Sequence, residues 1–278
     1  MRITKKTTRV PRRYILLPRG GRPAVAIALA VAATVTGCNV SSSPHGQLAQ
    51  DQAVLKSCDA SAPPAADIHI DGSASSNSQA ITEERLAAVE EIVRRTAICS
   101  GRVRVSVFSA SSAATTTLFD GSLPLHGATE NARLKRVPTV VGDAMAKIRD
   151  AYDPAVAGLK GKGSDIAAQY RLASEWANQV GNDYKLRLVI LTDGFQTVGV
   201  DLYKTPLTKR KAAALAAART TVPELTGASV TVAGLGRVGG EPPRSDVVEG
   251  LVAYYTDLCE KTKAAKCLSV TDYATEGR

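Results

Sequence analysis

The run Leu188-Val189-Ile190-Leu191 has no polar residue at either parity. Successive side chains of a strand point to opposite faces of its sheet, so a strand with no polar face must be covered on both sides. That requirement calls for a largely parallel sheet with helices above and below it. The run begins near Lys185 and stops at Thr192-Asp193-Gly194, which makes residues 185–191 the expected centre of such a sheet.

From Asp67 onward the chain alternates between the two periodicities. Residues 67–70 read as a strand. Residues 82–99 read as a helix with Leu86, Val89, Val93 and Ala97 on one stripe, Thr82 as its N-cap, and acids early and arginines late to match the macrodipole. Val103, Val105 and Val107 alternate with Arg102, Arg104 and Ser106, and a second β-rich run at 115–119 follows without room for a helix, so these two strands pair antiparallel. Residues 130–158 read as helical with a break near Pro138 and an end near Asp153-Pro154. A loop at 161–164 precedes a helix at 165–180, and then come the central strand, an Ala-rich helix at 207–219, a strand at 229–233, a helix at 245–263 and a last strand at 267–270. The expected fold is a doubly wound, mostly parallel α/β sheet with one antiparallel edge strand and helices on both faces, a three-layer sandwich.

The formal charge of +9 is concentrated at the start of the chain. Residues 1–22 carry eight arginines and lysines and no acid. Ala24 to Thr36 is a run of thirteen small or apolar residues without charge, shorter than the ~20 a spanning helix needs. A basic region, a short apolar region and small residues before a cleavage point make residues 1–37 a secretory signal peptide. Val35-Thr36-Gly37-Cys38 resembles the lipobox of bacterial lipoproteins, which implies cleavage before Cys38 and lipidation of that cysteine. Arg12-Arg13 leaves both Sec and Tat export open. Residues 38–66, rich in Ser, Ala, Pro and Gln, read as the lipidated cysteine and a flexible tether. The folded domain is expected over 67–278. The localisation this implies is the extracytoplasmic face of a cell membrane.

Setting Cys38 aside leaves Cys58, Cys99, Cys259 and Cys267, an even number in a chain expected in an oxidising compartment. Three connectivities are open. Cys58 with Cys99 and Cys259 with Cys267 is preferred: the second pair closes a short loop between a helix end and a strand start, and the first pins the incoming segment to the end of the first helix. No CxxC or HExxH occurs, so zinc and dithiol chemistry have no sequence support.

Open α/β sheets bind ligands beyond the carboxyl ends of their strands. Three segments bring oxygen-bearing side chains there: Asp71, Ser73 and Ser75 after the first strand, Ser164 before the helix at 165–180, and Asp193 after the central strand. Two carboxylates and three hydroxyls form a hard ligand set suited to Mg²⁺ or Mn²⁺, and fewer than six protein ligands leave a place for an outside oxygen. The same three stretches resemble a von Willebrand factor A-type domain. In that family the metal-ion-dependent adhesion site combines DxSxS, a Thr in a later loop and the Asp of a strand-end TDG. "DGSAS" matches the first motif, Ser164 of "KGSDIAAQYRLA" stands where the family has Thr, and "LVILTDGFQT" supplies Asp193. The resemblance runs from about 67 to 270. It implies binding of a protein or cell-surface partner through a divalent cation whose shell an acidic group of the partner completes. Ser164 keeps the hydroxyl and lacks the methyl that would restrict its rotamer. The alternative for the same residues is turn and cap chemistry in a scaffold lipoprotein with a vestigial, metal-free site.

Other functions find less support. "GLGRVG" at 234–239 matches GxGxxG, but it lies late in the chain and Pro242-Pro243 separates it from the next helix, so it reads as a glycine-rich loop. His45, His69 and His126 have no GxSxG elbow to serve, and Ser73 stands where a phosphotransferase would carry the second acid of a DxD pair; the chain is not expected to be an enzyme. With 4% aromatics there is little equipment for stacking on nucleic acid, and Lys204, Lys209, Arg210, Lys211 and Arg219 read as a solvated face. Trp176 is expected in the core.

Overall fold

A computed structural model describes residues 44–273 except 77 and 162. The segments expected to be a signal peptide and a lipidation site at Cys38 lie outside the described residues. Helix α1 (Pro44–Lys56) is followed by β1 (Pro64–Asp71), α2 (Gln79–Ile98), β2 (Arg102–Phe108) and β3 (Thr116–Ser122). Then come α3 (Glu130–Leu134), α4 (Val137–Gly158), α5 (Ile166–Val180), β4 (Lys185–Leu191), α6 (Arg210–Arg219), β5 (Ser229–Ala233), α7 (Ser245–Lys261) and β6 (Lys266–Val270).

The six strands lie in the order β3-β2-β1-β4-β5-β6, all parallel except β3, which pairs antiparallel with β2. The α/β three-layer architecture expected from the alternation is therefore the one observed. β1 and β4 are the central pair. Along β4, Val189 and Leu191 enter one core with α2 and α4, while Leu188 and Ile190 enter the other with α5, α6 and α7. Burying each such aliphatic side chain is worth about 1.5–3 kcal/mol, which is why the strand without a polar face takes the centre.

The expected tether is a correction. Residues 44–56 form α1 and β1 begins at Pro64, three residues before the expected start. The segment is held by specific contacts: Asp51 is buried against a two-pronged Arg94, with Nη2 2.6 Å from Oδ2, and Leu48, Val54 and Leu55 pack on the α2–α4 core. A Ser- and Gln-rich composition concealed a helix whose few apolar residues suffice because another helix receives them. Both preferred disulfides are present, Cys58–Cys99 and Cys259–Cys267, with Cα separations of 5.4 and 5.8 Å.

Smaller boundary shifts have local causes. α2 starts at Gln79 because Ser78, and not Thr82, accepts the Ile81 amide. α4 runs past Pro154 to Gly158: proline removes one amide donor, and buried Tyr152 and Ala155 hold the last turns in place. Asp165 caps α5, leaving the Ser164 hydroxyl free for another partner. The Ala-rich helix begins three residues late, at Arg210, and α7 stops two residues early, at Lys261.

Candidate metal site at the switch between β1 and β4

The connection from β1 runs to β2 on one side, whereas β4 and β5 build the sheet outward on the other. Neighbouring strands whose following loops diverge in this way leave a crevice at their carboxyl ends. β1 ends in Asp71 and the stretch after it carries Ser73 and Ser75, while the loop after β4 carries Thr192 and Asp193. The loop before α5 brings Ser164 between them. All five residues expected at the site meet here.

Asp71 is fully buried and heavily hydrogen-bonded. Its Oδ1 accepts from the Ser73 amide at 2.9 Å and from Ser164 Oγ at 3.0 Å, and its Oδ2 lies 3.0 Å from the same Ser164 hydroxyl and accepts from Thr192 Oγ1 at 2.6 Å. Ser75 Oγ lies 3.5 Å from Ser73 Oγ. Asp193 is equally buried, but only half satisfied among the described residues: Oδ1 accepts from the Phe195 amide at 3.0 Å, whereas Oδ2 has no hydrogen-bond partner there. Burial, and then the neighbouring Asp71 charge, push the Asp193 carboxyl above its ordinary value, against smaller opposing effects of the Phe195 amide, the Ser75 side chain and Arg85. Two buried carboxyls side by side, the Asp71 charge disfavouring that of Asp193 and one Asp193 oxygen unused, fit a divalent cation. Asp71, Ser73, Ser75, Ser164 and Asp193 are the residues that would hold it. Among the described residues no group of three or more His, Cys, Asp and Glu could hold a metal, so any ion here would depend on the serines.

The surrounding residues hold these loops in register. Thr197 Oγ1 accepts the Ser164 amide at 3.0 Å, and the Thr197 amide in turn donates to the Ser164 carbonyl. A side chain at Gly163 would place Cβ 1.9 Å from Thr197 Oγ1, so glycine is what permits this close approach. Arg85, buried in the first turns of α2, donates to the Asp71 carbonyl at 2.6 Å and to the Tyr273 hydroxyl at 3.0 Å. The Tyr273 ring covers Gly234, whose φ of 91° and lack of Cβ let the glycine-rich loop turn beneath it. That loop then supports the site, since the Gly236 amide donates to the Asp193 carbonyl and the Gly239 amide to the Ser75 carbonyl.

Thr192, Thr197, Arg85 and Tyr273 were missed from the sequence. Thr192 adjoins Asp193 and could have been chosen as the hydroxyl of TDG. Arg85 falls four residues before Val89 on the buried stripe, where an arginine is unusual enough to signal a polar partner. No local pattern points to Tyr273, which is 188 residues from Arg85.

A second buried polar cluster, at Asp67 and His69, lies earlier on β1. His69 Nε2 lies 2.9 Å from Asp67 Oδ2, and Arg104 grips both Asp67 oxygens at 2.8 and 2.7 Å. The Arg104 guanidinium sits 4.9 Å from the Trp176 ring centre, and the indole N–H donates to Asp120 at 3.2 Å. Burial alone would raise the Asp67 carboxyl, but His69 and Arg104 outweigh it and hold the group below its ordinary value. His69 is thus a packed core residue, Trp176 lies in the core as expected, and His126 is exposed in the link after β3.

No protein-family model and no curated protein matches the chain. Among solved structures it is similar to the conserved hypothetical protein BatB from Bacteroides thetaiotaomicron, at 13% identity and a TM-score of 0.43 over 75% of this chain and 90% of that one. Proximal thread matrix protein 1 of the mussel byssus matches at 14% identity and a TM-score of 0.37, over 78% of this chain and 45% of its own. The pilus adhesin SpaC from Lactobacillus rhamnosus GG matches at 12% and 0.36, over 78% and 29%. At these identities the functional reading rests on the site's own geometry. What the strand order and the helices show is a mostly parallel α/β sheet with one antiparallel edge strand. No helix among the described residues is long and apolar enough to cross a membrane.

Proposed function

We propose that this chain is an exported, lipid-anchored protein, held on the extracytoplasmic face of a membrane through Cys38, whose von Willebrand factor A-like domain binds a protein or cell-surface partner through Mg²⁺ or Mn²⁺. The observation that carries the reading is the unpartnered, buried Oδ2 of Asp193 beside the Asp71 carboxylate and three serine hydroxyls. A cation there would relieve the repulsion between the two carboxylates and leave a coordination position for an acidic oxygen of the partner. Ala74 and Gly239 are exposed beside the site, and approach would be from that side. The chemistry is coordination without turnover.

Calorimetric titration with Mg²⁺ and Mn²⁺ is the direct test. A saturable isotherm abolished in Asp193→Asn, which keeps an acceptor for the Phe195 amide, supports the reading; partner capture from the native cell surface that is indifferent to EDTA would sink the adhesion mechanism. One observation favours the alternative of a scaffold lipoprotein with a vestigial site. Asp71 already accepts from Ser73, Ser164 and Thr192, so part of the ligand set is closed by the protein's own donors. No heat and no thermal shift with either metal would decide for the scaffold.

A further inference from the structure

The opposite end of the sheet holds a cavity of about 280 Å³ that the proposed metal site does not use. Arg187, Ser229 and Lys266 are register partners across β4, β5 and β6. Residues paired in register share a face, and Lys185, two residues before Arg187, shares it as well. Arg95, in the last turn of α2, completes the basic wall.

Four cations therefore line this cavity against one carboxylate, that of Asp59. Asp59 Oδ1 accepts from both the amide and the hydroxyl of Ser61, at 3.0 and 2.6 Å. Lys185 and Lys266 are both exposed, and the Lys185 charge is one of the smaller influences that hold the Asp59 carboxyl below its ordinary value, after its hydrogen bonds from Ser61. Like charges on adjacent positions of a sheet repel, and an anion among them turns that repulsion into attraction. Arg95 and Arg187 already have partners, so the exposed Lys185 and Lys266 ammonium groups and the Ser229 hydroxyl are the donors offered to the several oxygens of a phosphate. The volume lies just under the ~300–1,000 Å³ of pockets for drug-sized ligands, which suits a small group and not an extended one.

We propose that this cavity binds a phosphate group, either as a free phosphate ester or as the headgroup of an anionic lipid. About 20 Å of β4 separates it from Asp193, so it is independent of the metal site.

The test uses the full chain in EDTA, which removes any contribution from divalent cations. Inorganic phosphate and glycerol 3-phosphate are titrated calorimetrically into wild type, Lys185→Gln/Lys266→Gln and Lys185→Arg/Lys266→Arg. Sedimentation with phosphatidylglycerol or phosphatidylcholine vesicles runs in parallel. Both lysines are exposed, so the variants are expected to unfold at the wild-type temperature. Saturable binding that weakens on the order of tenfold or more in the glutamine variant, and survives in the arginine variant, supports the site. The basic N-terminal segment is common to all three proteins, so only the difference between them counts. Phosphatidylglycerol sedimentation that favours wild type over the glutamine variant identifies the headgroup as the source, and equal sedimentation with retained calorimetric binding identifies the free ester. Identical phosphate isotherms in wild type and glutamine variant, or no phosphate heat together with equal sedimentation, would overturn the proposal.

Discussion

Two buried polar clusters grow from one face of β1, at Asp67 and at Asp71, and they are resolved in opposite ways. At Asp67 the protein supplies its own counter-charge: Arg104 binds both carboxylate oxygens and is itself packed on Trp176. Among the described residues of this cluster, His69 Nδ1 is the polar atom left without a hydrogen-bond partner. At Asp71 and Asp193 two carboxyls stand together. Arg85 reaches the Asp71 main-chain carbonyl and lowers the Asp193 carboxyl only in part, and Asp193 Oδ2 stays unpartnered. Burying a charge costs several kcal/mol unless it is paired. The first cluster therefore reads as part of the fold, and the second as a place that an outside cation would complete.

The largest effect that could break this contrast is at Arg104. Arg104→Met removes the guanidinium and leaves Asp67 buried with His69 alone; a loss of about 3–5 kcal/mol in urea unfolding is expected. A loss below about 1 kcal/mol would show that the ion pair is not what holds this cluster.

The second cluster should respond to metal instead. At a hundredfold excess over Kd, Mg²⁺ or Mn²⁺ should stabilise the wild type by about 2.7 kcal/mol, read as a thermal shift. Asp193→Asn should abolish that shift while the metal-free protein unfolds no earlier than wild type, since a repelling carboxylate has been removed. Ser164→Ala deletes the hydroxyl that spans both Asp71 oxygens, and about 1–3 kcal/mol of metal-free stability should go with it.

The two clusters also separate by pH. Asp67 is depressed below its ordinary 3.8 in the folded state, so its contribution is fully present above that value and is lost as pH falls through the folded pKa. Stability measured downward from pH 4 should fall in the wild type and fall less steeply in Asp67→Asn; equal slopes would remove Asp67 as the cause. The smallest effect lies outside both clusters. Ser78→Ala should cost about 1 kcal/mol through the lost cap of α2, whereas Thr82→Ala, at the position expected from the sequence, should cost less.

How legible each part was follows from the range of the forces involved. The central strand, the antiparallel β2–β3 pair and the order of elements could be read because side-chain periodicity is a local property that burial then enforces. The helix at 44–56 could not, because its stripe is weak and what holds it, Arg94 and the α2–α4 core, comes from later in the chain. Asp71, Ser73, Ser75, Ser164 and Asp193 were recognisable as strand-end and loop residues. Their shared crevice depends on β4 lying beside β1 although β2 and β3 intervene in sequence.

By itself, then, the sequence determined the alternation of elements, the both-face burial of β4, and the kinds of oxygen that loops would present at strand ends. Only the tertiary structure decided which buried charges are answered. Arg104 reaches Asp67 across a parallel register, Tyr273 closes on Arg85 from the far end of the chain, and Asp193 Oδ2 has no hydrogen-bond partner among the described residues. Charge compensation is a matter of distance in space, and residue order does not carry it.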